Sequence, residues 1–440
     1  IKNSNFIFNM HHFQDFFIYR PFLDILRKDQ IKFLLRRDVF DQEHFLSVLS
    51  FLQRNGIAYQ DYLYVRDINW QNTKKETFLL SASESTVAIS HHLSSAVVCA
   101  AKINKVHTIL LQHGIWVENF QDRICSFASD HILSWSKEHE FCFTTNTNTI
   151  LGKPSVLGNT SSSIFYNIGS PKFTDTLLDM TASSILKYRL GINNVESYDR
   201  IILIGTNLHW PQHNVSQQKF KNILTELFSM YPNYLFILKL HPCEKIINYI
   251  GLKTYKNVYL LDDIICITLD LYINRIIREV DIVISSLSTL LLDGAVAGKP
   301  VFQYDTLNKF SYNYIKPVPL DCLKTLINKP LQHLLKISRV DLFKDYYATN
   351  VDGLFYLQFE KTLSKIINKK NGFVLDNDLS LRLSLSFAIE DEYIRQKQLV
   401  QNLVNREKQL VQNRTNRSLR SLIRRLFSKI LSVLKLNGKL

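Results

Sequence analysis

The sequence predicts an α/β protein in which two doubly wound parallel sheets face each other across a cleft. Short runs rich in Ile, Val and Leu alternate with helical stretches, which is typical of parallel strands joined by crossover helices. Several of these runs end abruptly in small or polar residues, as buried strands do where they meet their loops. The chain has 440 residues, too many for one ordinary core. We therefore expect a first domain over residues 1–185, a second over 186–375 and a helical tail over 376–440.

In the first domain, the segments with the composition of buried strands are NFIFNM, IKFLLR, AYQDYLYV, TFLLSAS, VHTILLQ, HILSW and SIFYNIG. Residues 19–28, 44–54 and 86–103 between them have helical patterning. Asn55-Gly56 is a good C-terminal stop for the second of these helices. The polar stretch 143–163 predicts a surface loop.

In the second domain, the predicted strands are RIILIGTN, LFILKLHP, VDIVISS and VFQY. Helices are expected over residues 216–230 and 290–297. A further amphipathic stretch, 353–368, follows a region of weaker pattern, and we expect it to cross back to the first domain.

The candidate binding residues follow three strands of the second domain. Parallel α/β sheets bind ligands at the carboxyl ends of their strands, and hydroxyls with free N–H groups at a helix start form an anion site. These residues therefore predict a cradle for a diphosphate. They are Gly205, Thr206, His241, Pro242, Ser285, Ser286, Ser288 and Thr289.

Each of these residues has a structural alternative. His241 is expected to donate to a phosphate and offset the charge on a leaving group, but it would also suit a plain strand end. Ser285, Ser286, Ser288 and Thr289 would also serve as ordinary N-caps of the following helix, and both roles can hold because they use the same N–H groups. Gly205 allows close approach of a ligand to the backbone, or simply a tight turn.

His113 is the candidate catalytic base of the first domain. It follows the predicted strand VHTILLQ, so we expect it to face the cleft and take a proton from an acceptor hydroxyl. A buried structural histidine is the alternative. Glu118 and Glu84 are competing candidates for the base.

Four motifs carry a family resemblance that spans residues 106–304. KLHP, followed about forty residues later by SSLSTLLLDGAVAGKPV, resembles the C-terminal half of GT-B transferases that build bacterial surface polysaccharides. The resemblance is strongest to the CDP-glycerol glycerophosphotransferase-like group, and the His-Pro and Ser-Ser pairs are also similar to bacterial sialyltransferases that use CMP-sugars. LLQHGIW and IGSPKFTD resemble the corresponding first-domain and linking motifs.

The resemblance implies a GT-B-like pair of Rossmann-like domains and a glycosyltransferase or glycerophosphotransferase. Such an enzyme would move a glycosyl or glycerol-phosphate unit from a CDP-, CMP- or UDP-activated donor to a glycan or lipid-linked acceptor. The product would be a capsule, lipopolysaccharide or teichoic-acid-like polymer. Asp293 is expected to bind the donor's ribose, although related enzymes often have Glu-Ala where this chain has Asp293-Gly294.

Neither a metal nor a cofactor is expected, because no DxD-like acidic pair lies at an obvious strand end. Two alternatives stay open. One is a sugar-nucleotide epimerase of the same fold. The other is a non-catalytic, membrane-associated interaction protein.

The positive charge is concentrated in the tail. The whole chain carries a net charge of +14, of which residues 395–440 contribute +11. Within the tail, residues 414–440 hold eight Lys or Arg and no acid. Their apolar residues recur at helical spacing: Leu419, Leu422, Ile423, Leu426, Phe427, Ile430, Leu431 and Leu434. This pattern favours an anionic membrane surface over nucleic acid.

The tail also contains a repeat, RQKQLVQN at 395 and REKQLVQN at 406. Its eleven-residue period predicts a continuous helix with an apolar seam, through which the protein could form a homo-oligomer. The six cysteines form no CxxC pair, and no run of eighteen apolar residues is present. We therefore expect a cytoplasmic protein, peripheral on the inner face of the cytoplasmic membrane.

Overall fold

The computed structural model describes most of the chain, which divides into two compact units, Ile1–Leu383 and Ser384–Leu440. The described residues are 4–38, 42–70, 76–84, 89–115, 127–139, 163–174, 185–206, 214–242, 244–305, 312–368, 383–384 and 387–409. Both sheets belong to the first unit. The boundaries expected after residues 185 and 375 remain predictions.

The first sheet contains seven strands within these ranges, all paired in parallel in the order β3-β2-β1-β4-β5-β6-β7. Most of their side chains are buried, which is why these segments are largely continuous apolar runs. The strands are β1 (Asn5–Met10), β2 (Ile31–Arg36), β3 (Ala58–Tyr62), β4 (Thr77–Ser81), β5 (His107–Leu111), β6 (His131–Ser134) and β7 (Ile164–Asn167). The helices of this region are α1 (Asp15–Tyr19), α2 (Gln42–Arg54), α3 (Ile89–Ile103) and α4 (Pro171–Thr174).

The second sheet contains six parallel strands within the described ranges, in the order β10-β9-β8-β11-β12-β13. They are β8 (Arg200–Gly205), β9 (Tyr234–Lys239), β10 (Val258–Leu261), β11 (Ile282–Ser285), β12 (Val301–Asp305) and β13 (Val318–Pro319). The helices are α5 (Ile185–Tyr188), α6 (Asn214–Met230), α7 (Asp263–Thr268), α8 (Ile273–Glu279), α9 (Leu290–Val296), α10 (Leu323–Leu326), α11 (Leu331–Ser338), α12 (Val340–Tyr347) and α13 (Phe355–Asn368).

The prediction of a helix over residues 19–28 is wrong. The α-helix there is α1, which ends at Tyr19, and a 3₁₀ segment, Arg20–Asp24, follows it. Pro21 explains the change, because proline has no N–H to donate and its ring clashes with the carbonyl four residues earlier. Of the loop expected over 143–163, all but Ser163 lies outside the described residues, as does the start of the helix expected at 86.

Helix α13 returns to the first sheet, which confirms that part of the prediction. The Phe355 and Phe359 rings lie 5.9 and 5.2 Å from the Phe22 ring. Phe359 also lies 6.4 Å from Phe6 of β1. The apolar face of this amphipathic helix therefore completes the core of the first sheet rather than that of the second.

Polar contacts also join the parts of the unit that carry the two sheets. Arg20 forms an ion pair with Asp270 at 2.9 Å, and its guanidinium lies 4.7 Å from the Tyr272 ring. The Tyr272 hydroxyl donates to Asp24 at 2.8 Å. Helix α2 packs against α7 on the same side. These contacts bridge the two sheet-bearing parts of the unit.

Gly294 allows α9 to pack closely on the second sheet, and we expect Gly294→Ala to destabilise the protein. A Cβ at Gly294 would lie 2.9 Å from Val283 Cγ2 and 2.9 Å from Val301 Cγ1. Overpacking of this kind should lower the free energy of unfolding by about 1–3 kcal/mol. Gly251→Ala is the matched control, because a Cβ there meets no atom within 4 Å. Denaturant unfolding of both variants checks this, and equal stabilities would contradict it.

In the second unit, residues 387–409 form a helix, α14. Leu399, Val400, Leu403 and Val404 are exposed on it. This helix includes the first copy of the tail repeat. Part of the second copy, from residue 410, and the basic amphipathic segment 414–440 lie outside the described residues.

Candidate functional site

Three adjacent strands of the second sheet bring the predicted binding residues together at their carboxyl ends. Strand β8 lies between β9 and β11, and Gly205 is aligned with both Lys239 and Ser285. Thr206 and Ser286 extend these strand ends and are buried. His241, just beyond β9, is half-buried. Strand order therefore gathers residues from three distant sequence segments into one site.

Glu244, which the sequence analysis missed, organises the end of β9. Its carboxylate accepts a hydrogen bond from the Thr206 hydroxyl and one from Tyr249 Oη at 3.2 Å. The His241 N–H lies 3.3 Å from both Thr206 Oγ1 and Glu244 Oε2. Burial, and then the charge of Glu244, raise the pKa of Tyr249 well above its usual value. A carboxylate in the turn after His-Pro was the available sequence signal.

Close packing around Gly205 leaves no room for a side chain. A Cβ there would lie 2.5 Å from Ser285 Oγ and 2.8 Å from Leu290 Cδ2. The Gly205 carbonyl accepts hydrogen bonds from Tyr304 Oη at 3.0 Å and from Ser285 Oγ at 3.3 Å. The close approach at Gly205 is thus to protein atoms. Nucleotide contacts by Gly205 and Ser285 stay predictions.

The hydroxyl residues before α9 are half-buried and have different surroundings. Ser288 Oγ accepts a hydrogen bond from the Leu290 N–H at 3.3 Å, so it acts as a local cap. Thr289 occupies the N-cap position without a side-chain capping bond. Its Cγ2 would lie 3.8 Å from a Cβ placed on Gly114. The segment after β5 and the segment after β11 therefore face each other directly.

Asp293 is held by a cation from the segment that leaves the first sheet. Lys172 Nζ lies 2.8 Å from Asp293 Oδ1, and the Asp293 side chain is 6% exposed. The ammonium also lies 4.3 Å from the Trp135 ring, and Asn274 donates to the Lys172 carbonyl. The sequence analysis did not single out Lys172. Ribose binding by Asp293 stays a prediction, and a ribose would share this carboxylate with Lys172.

His113 is half-buried directly after β5. Burial lowers the pKa of its imidazole, while the negative charge of Asp15 and a hydrogen bond to the Ala82 carbonyl raise it. The positive charge of Lys172, and that of His12 when His12 is protonated, lower it further. A histidine whose pKa is lowered is neutral at neutral pH, which is the form that accepts a proton.

A buried polar cluster lies behind His113, and the sequence analysis did not include it. The Asp15 carboxylate accepts hydrogen bonds from the backbone N–H groups of His11 at 2.9 Å and His12 at 2.7 Å. It also accepts one from Ser83 Oγ at 2.6 Å. Burial lowers the pKa of His12 to about 4. The signal was the run HHFQD immediately after β1, polar residues at a strand end.

Of the two alternative bases, Glu84 lies within the described residues and Glu118 does not. Glu84 is buried, and its oxygens accept hydrogen bonds from the Ala128 N–H and from the N–H and hydroxyl of Ser129 at 2.6–3.0 Å. Burial raises its pKa. It thus anchors the segment that leads into β6. Glu118 lies outside the described residues.

Among the residues that the structure describes, no three His, Cys, Asp or Glu side chains are grouped so that they could hold a metal ion. A reaction without metal or cofactor remains a prediction. No described helix is long and apolar enough to cross a membrane.

By sequence, the chain matches no family model and no curated relative. Solved structures match it over most of its length. MnaA of S. aureus with UDP has a TM-score of 0.53 at 11% identity, covering 83% of this chain and 97% of that chain. A variant of the wall teichoic acid polymerase TagF with CDPG has a TM-score of 0.52 at 12% identity, covering 83% and 90%. The UDP-GlcNAc 2-epimerase of Neisseria meningitidis, bound to UDP-GlcNAc, has a TM-score of 0.50 at 14% identity, covering 82% and 99%.

These neighbours are GT-B proteins, and the chain has the GT-B fold. The predicted fold class, two parallel sheets with a helical C-terminal segment, is therefore confirmed. Identities of 11–14% show the fold and leave the reaction open.

Proposed function

We propose that this protein is a GT-B transferase that moves a glycosyl or glycerol-phosphate unit from a CDP-, CMP- or UDP-activated donor. The observation that supports it most is that the segment after β5 lies close to the segment after β11. Gly114 is next to His113, and Thr289 follows β11 of the second sheet. Thr289 Cγ2 would lie 3.8 Å from a Cβ placed on Gly114. This approach supports a site shared by the candidate base and the candidate phosphate-binding segments, at strand ends, where open α/β sheets bind ligands.

In this proposal His113 accepts a proton and His241 donates to the leaving group. The acceptor hydroxyl attacks the anomeric carbon of a sugar donor, or the outer phosphorus of a glycerol-phosphate donor. The bond to the nucleotide leaving group breaks, and His113 takes the hydroxyl proton. His241 donates to the departing phosphate and stabilises its developing charge, as positioned donors do at other leaving groups.

The acceptor in this proposal is a growing surface glycan, free or linked to a lipid. The donor class is supported by the printed ligands of two neighbours, UDP with MnaA and CDPG with TagF. The name of TagF, a wall teichoic acid polymerase, supports a surface polymer as the product. The sequence resemblance points to the same group.

A sugar-nucleotide epimerase is the second candidate, because a UDP-GlcNAc 2-epimerase has the same fold over 82% of this chain. The two candidates differ in what leaves the active site. A transferase consumes an acceptor and releases a nucleotide. An epimerase returns an isomeric sugar nucleotide and needs no acceptor.

The deciding experiment incubates the protein with CDP-, CMP- and UDP-activated donors, with and without a glycan acceptor. Acceptor-dependent nucleotide release is the expected result. An isomerised donor without acceptor would favour the epimerase. Calorimetry that detects no nucleotide binding for any donor would favour the non-catalytic interaction protein.

We also propose that the basic segment 414–440 binds an anionic membrane surface, on the cytoplasmic face where nucleotide donors are found. Deleting 414–440 should release the protein from anionic vesicles and leave transfer to a small soluble acceptor unchanged. Near such a surface each of its eight cations contributes on the order of 1 kcal/mol. Salt should weaken the binding, because exposed charges are screened over about 8 Å at physiological ionic strength.

Vesicle co-sedimentation on neutral and anionic lipid measures this effect. Deleting only residues 436–440 is the matched control, since it removes one cation, Lys439, and none of the apolar stripe. Undiminished binding after the longer deletion, or equal binding to neutral lipid, would contradict the membrane proposal. The tail helix would then be better explained by self-association.

A further inference from the structure

We propose that Asp15 is the positioning residue for His113, a buried carboxylate that orients the imidazole and stabilises the imidazolium formed when His113 takes a proton. This inference rests on the proposed transfer reaction, in which His113 is the base. It adds a residue that neither the sequence motifs nor the family resemblance indicated.

Strand order places the two side chains together. Strands β1, β4 and β5 are neighbours in the first sheet. Asp15 follows β1, the pair Ala82-Ser83 follows β4, and His113 follows β5. Because parallel strands end at the same edge of a sheet, these three segments converge there.

The pair Ala82-Ser83, after β4, contacts both Asp15 and His113. Ser83 Oγ donates to Asp15 Oδ1 at 2.6 Å, and the carbonyl of the preceding Ala82 accepts a hydrogen bond from the His113 ring. The ring and the carboxylate are therefore held by two consecutive residues. His113 is half-buried, whereas Asp15 is buried, and the two groups interact electrostatically.

The hydrogen bonds of Asp15 favour its charged form. Its Oδ2 accepts the backbone N–H groups of His11 and His12, at 2.9 and 2.7 Å. Three donors on one carboxylate stabilise the anion. They act against burial, which raises the pKa of Asp15.

The charged and titratable groups around His113 act in opposite directions. Asp15 on α1 raises the pKa of the imidazole, while His12, in the loop before α1, and Lys172 on α4 lower it. The pKa of His12 is about 4, so His12 is neutral at neutral pH. Asp15 is thus the charged group that acts against burial and against the charge of Lys172.

The chemical consequence concerns the proton that His113 accepts. A buried imidazolium is costly unless an opposite charge is nearby. A carboxylate that interacts with the ring supplies that charge, as the aspartate does in serine-protease triads. The ring's orientation is held by the Ala82 carbonyl, in the segment that Asp15 binds through Ser83. Glu84, the other buried carboxylate discussed for this domain, is bound to Ala128 and Ser129.

The direct test follows His113 by NMR in histidine-labelled full-length protein. Asp15→Asn should lower the pKa of His113 by about one unit or more, the usual effect of removing an interacting opposite charge. Ser83→Ala is the matched control, because it removes a hydrogen bond from Asp15 and keeps the charge. An unchanged His113 titration in folded Asp15→Asn would overturn the proposal.

A second measurement needs no variant and covers the case in which Asp15→Asn does not fold. In the unaltered protein, the carboxyl ¹³C resonance of Asp15 should shift at the pH where His113 titrates. A resonance that does not respond to the titration of His113 would overturn the proposal.

Kinetics separate this inference from the proposed function. In Asp15→Asn, the acid limb of kcat/KM should move to lower pH by about one unit, since a base of lower pKa is deprotonated earlier. The plateau kcat should fall roughly tenfold or more, with the donor KM unchanged. An acid limb that stays in place would overturn the inference. A shifted His113 titration without transfer from any donor would overturn the proposed function and leave the Asp15–His113 interaction intact.

Discussion

His241→Ala should lower the rate of transfer about 10²–10³-fold, the usual loss when a preorganised donor to developing charge is removed. The fold should persist, because the backbone at this position is held independently of the ring. The His241 N–H lies 3.3 Å from both Thr206 Oγ1 and Glu244 Oε2, and neither contact involves the imidazole. Single-turnover transfer with the donor found in the panel measures the loss.

His333→Ala is the matched control for this experiment. His333 is an exposed histidine on α11 of the same unit, away from the strand ends. It should retain full activity and the same thermal unfolding. Near wild-type turnover in His241→Ala would contradict the phosphate role. A loss of activity accompanied by a lower unfolding temperature would point to a structural histidine at the end of β9.

His113→Ala should lower turnover by about 10²–10⁴-fold, the range for a general base, with a much smaller effect on nucleotide affinity. The reason is its place after β5 of the first sheet, the proposed acceptor side, whereas the predicted nucleotide contacts follow β8, β9 and β11 of the second sheet. Transfer assays report turnover, and calorimetry with the nucleotide reports affinity.

His107→Ala is the control, because His107 begins the strand that His113 follows. It changes a histidine at the opposite end of β5, and transfer should continue. Equal losses of turnover and nucleotide affinity in His113→Ala would indicate a donor contact or a folding defect. The pH profile gives a further check. Because burial lowers the pKa of His113, the wild-type activity should rise with pH below neutrality and reach its plateau by about pH 7.

Local sequence was enough for most strands and for the ends of those strands, whereas β10 (Val258–Leu261) and β13 (Val318–Pro319) were not predicted. A buried parallel strand is a continuous apolar run, and its end is a change to small or polar residues, so both are visible in a few consecutive positions. His113, His241 and Ser285 were recognisable for this reason. The helix predicted over residues 19–28 was wrong, because Pro21 interrupts a stretch that otherwise has helical patterning.

The partners of these residues could not be predicted, because strand order and helix packing bring distant segments together. Asp15 and His113 both contact the segment after β4, because β4 lies between β1 and β5 in the sheet. Glu244 bonds to Thr206 since β8 and β9 are neighbours. Lys172 pairs with Asp293 because the tertiary structure brings α4 and α9 together. Sequence alone determined which side chains stand at strand ends. Only tertiary structure decided which charges surround them, because that depends on contacts between segments far apart in the chain.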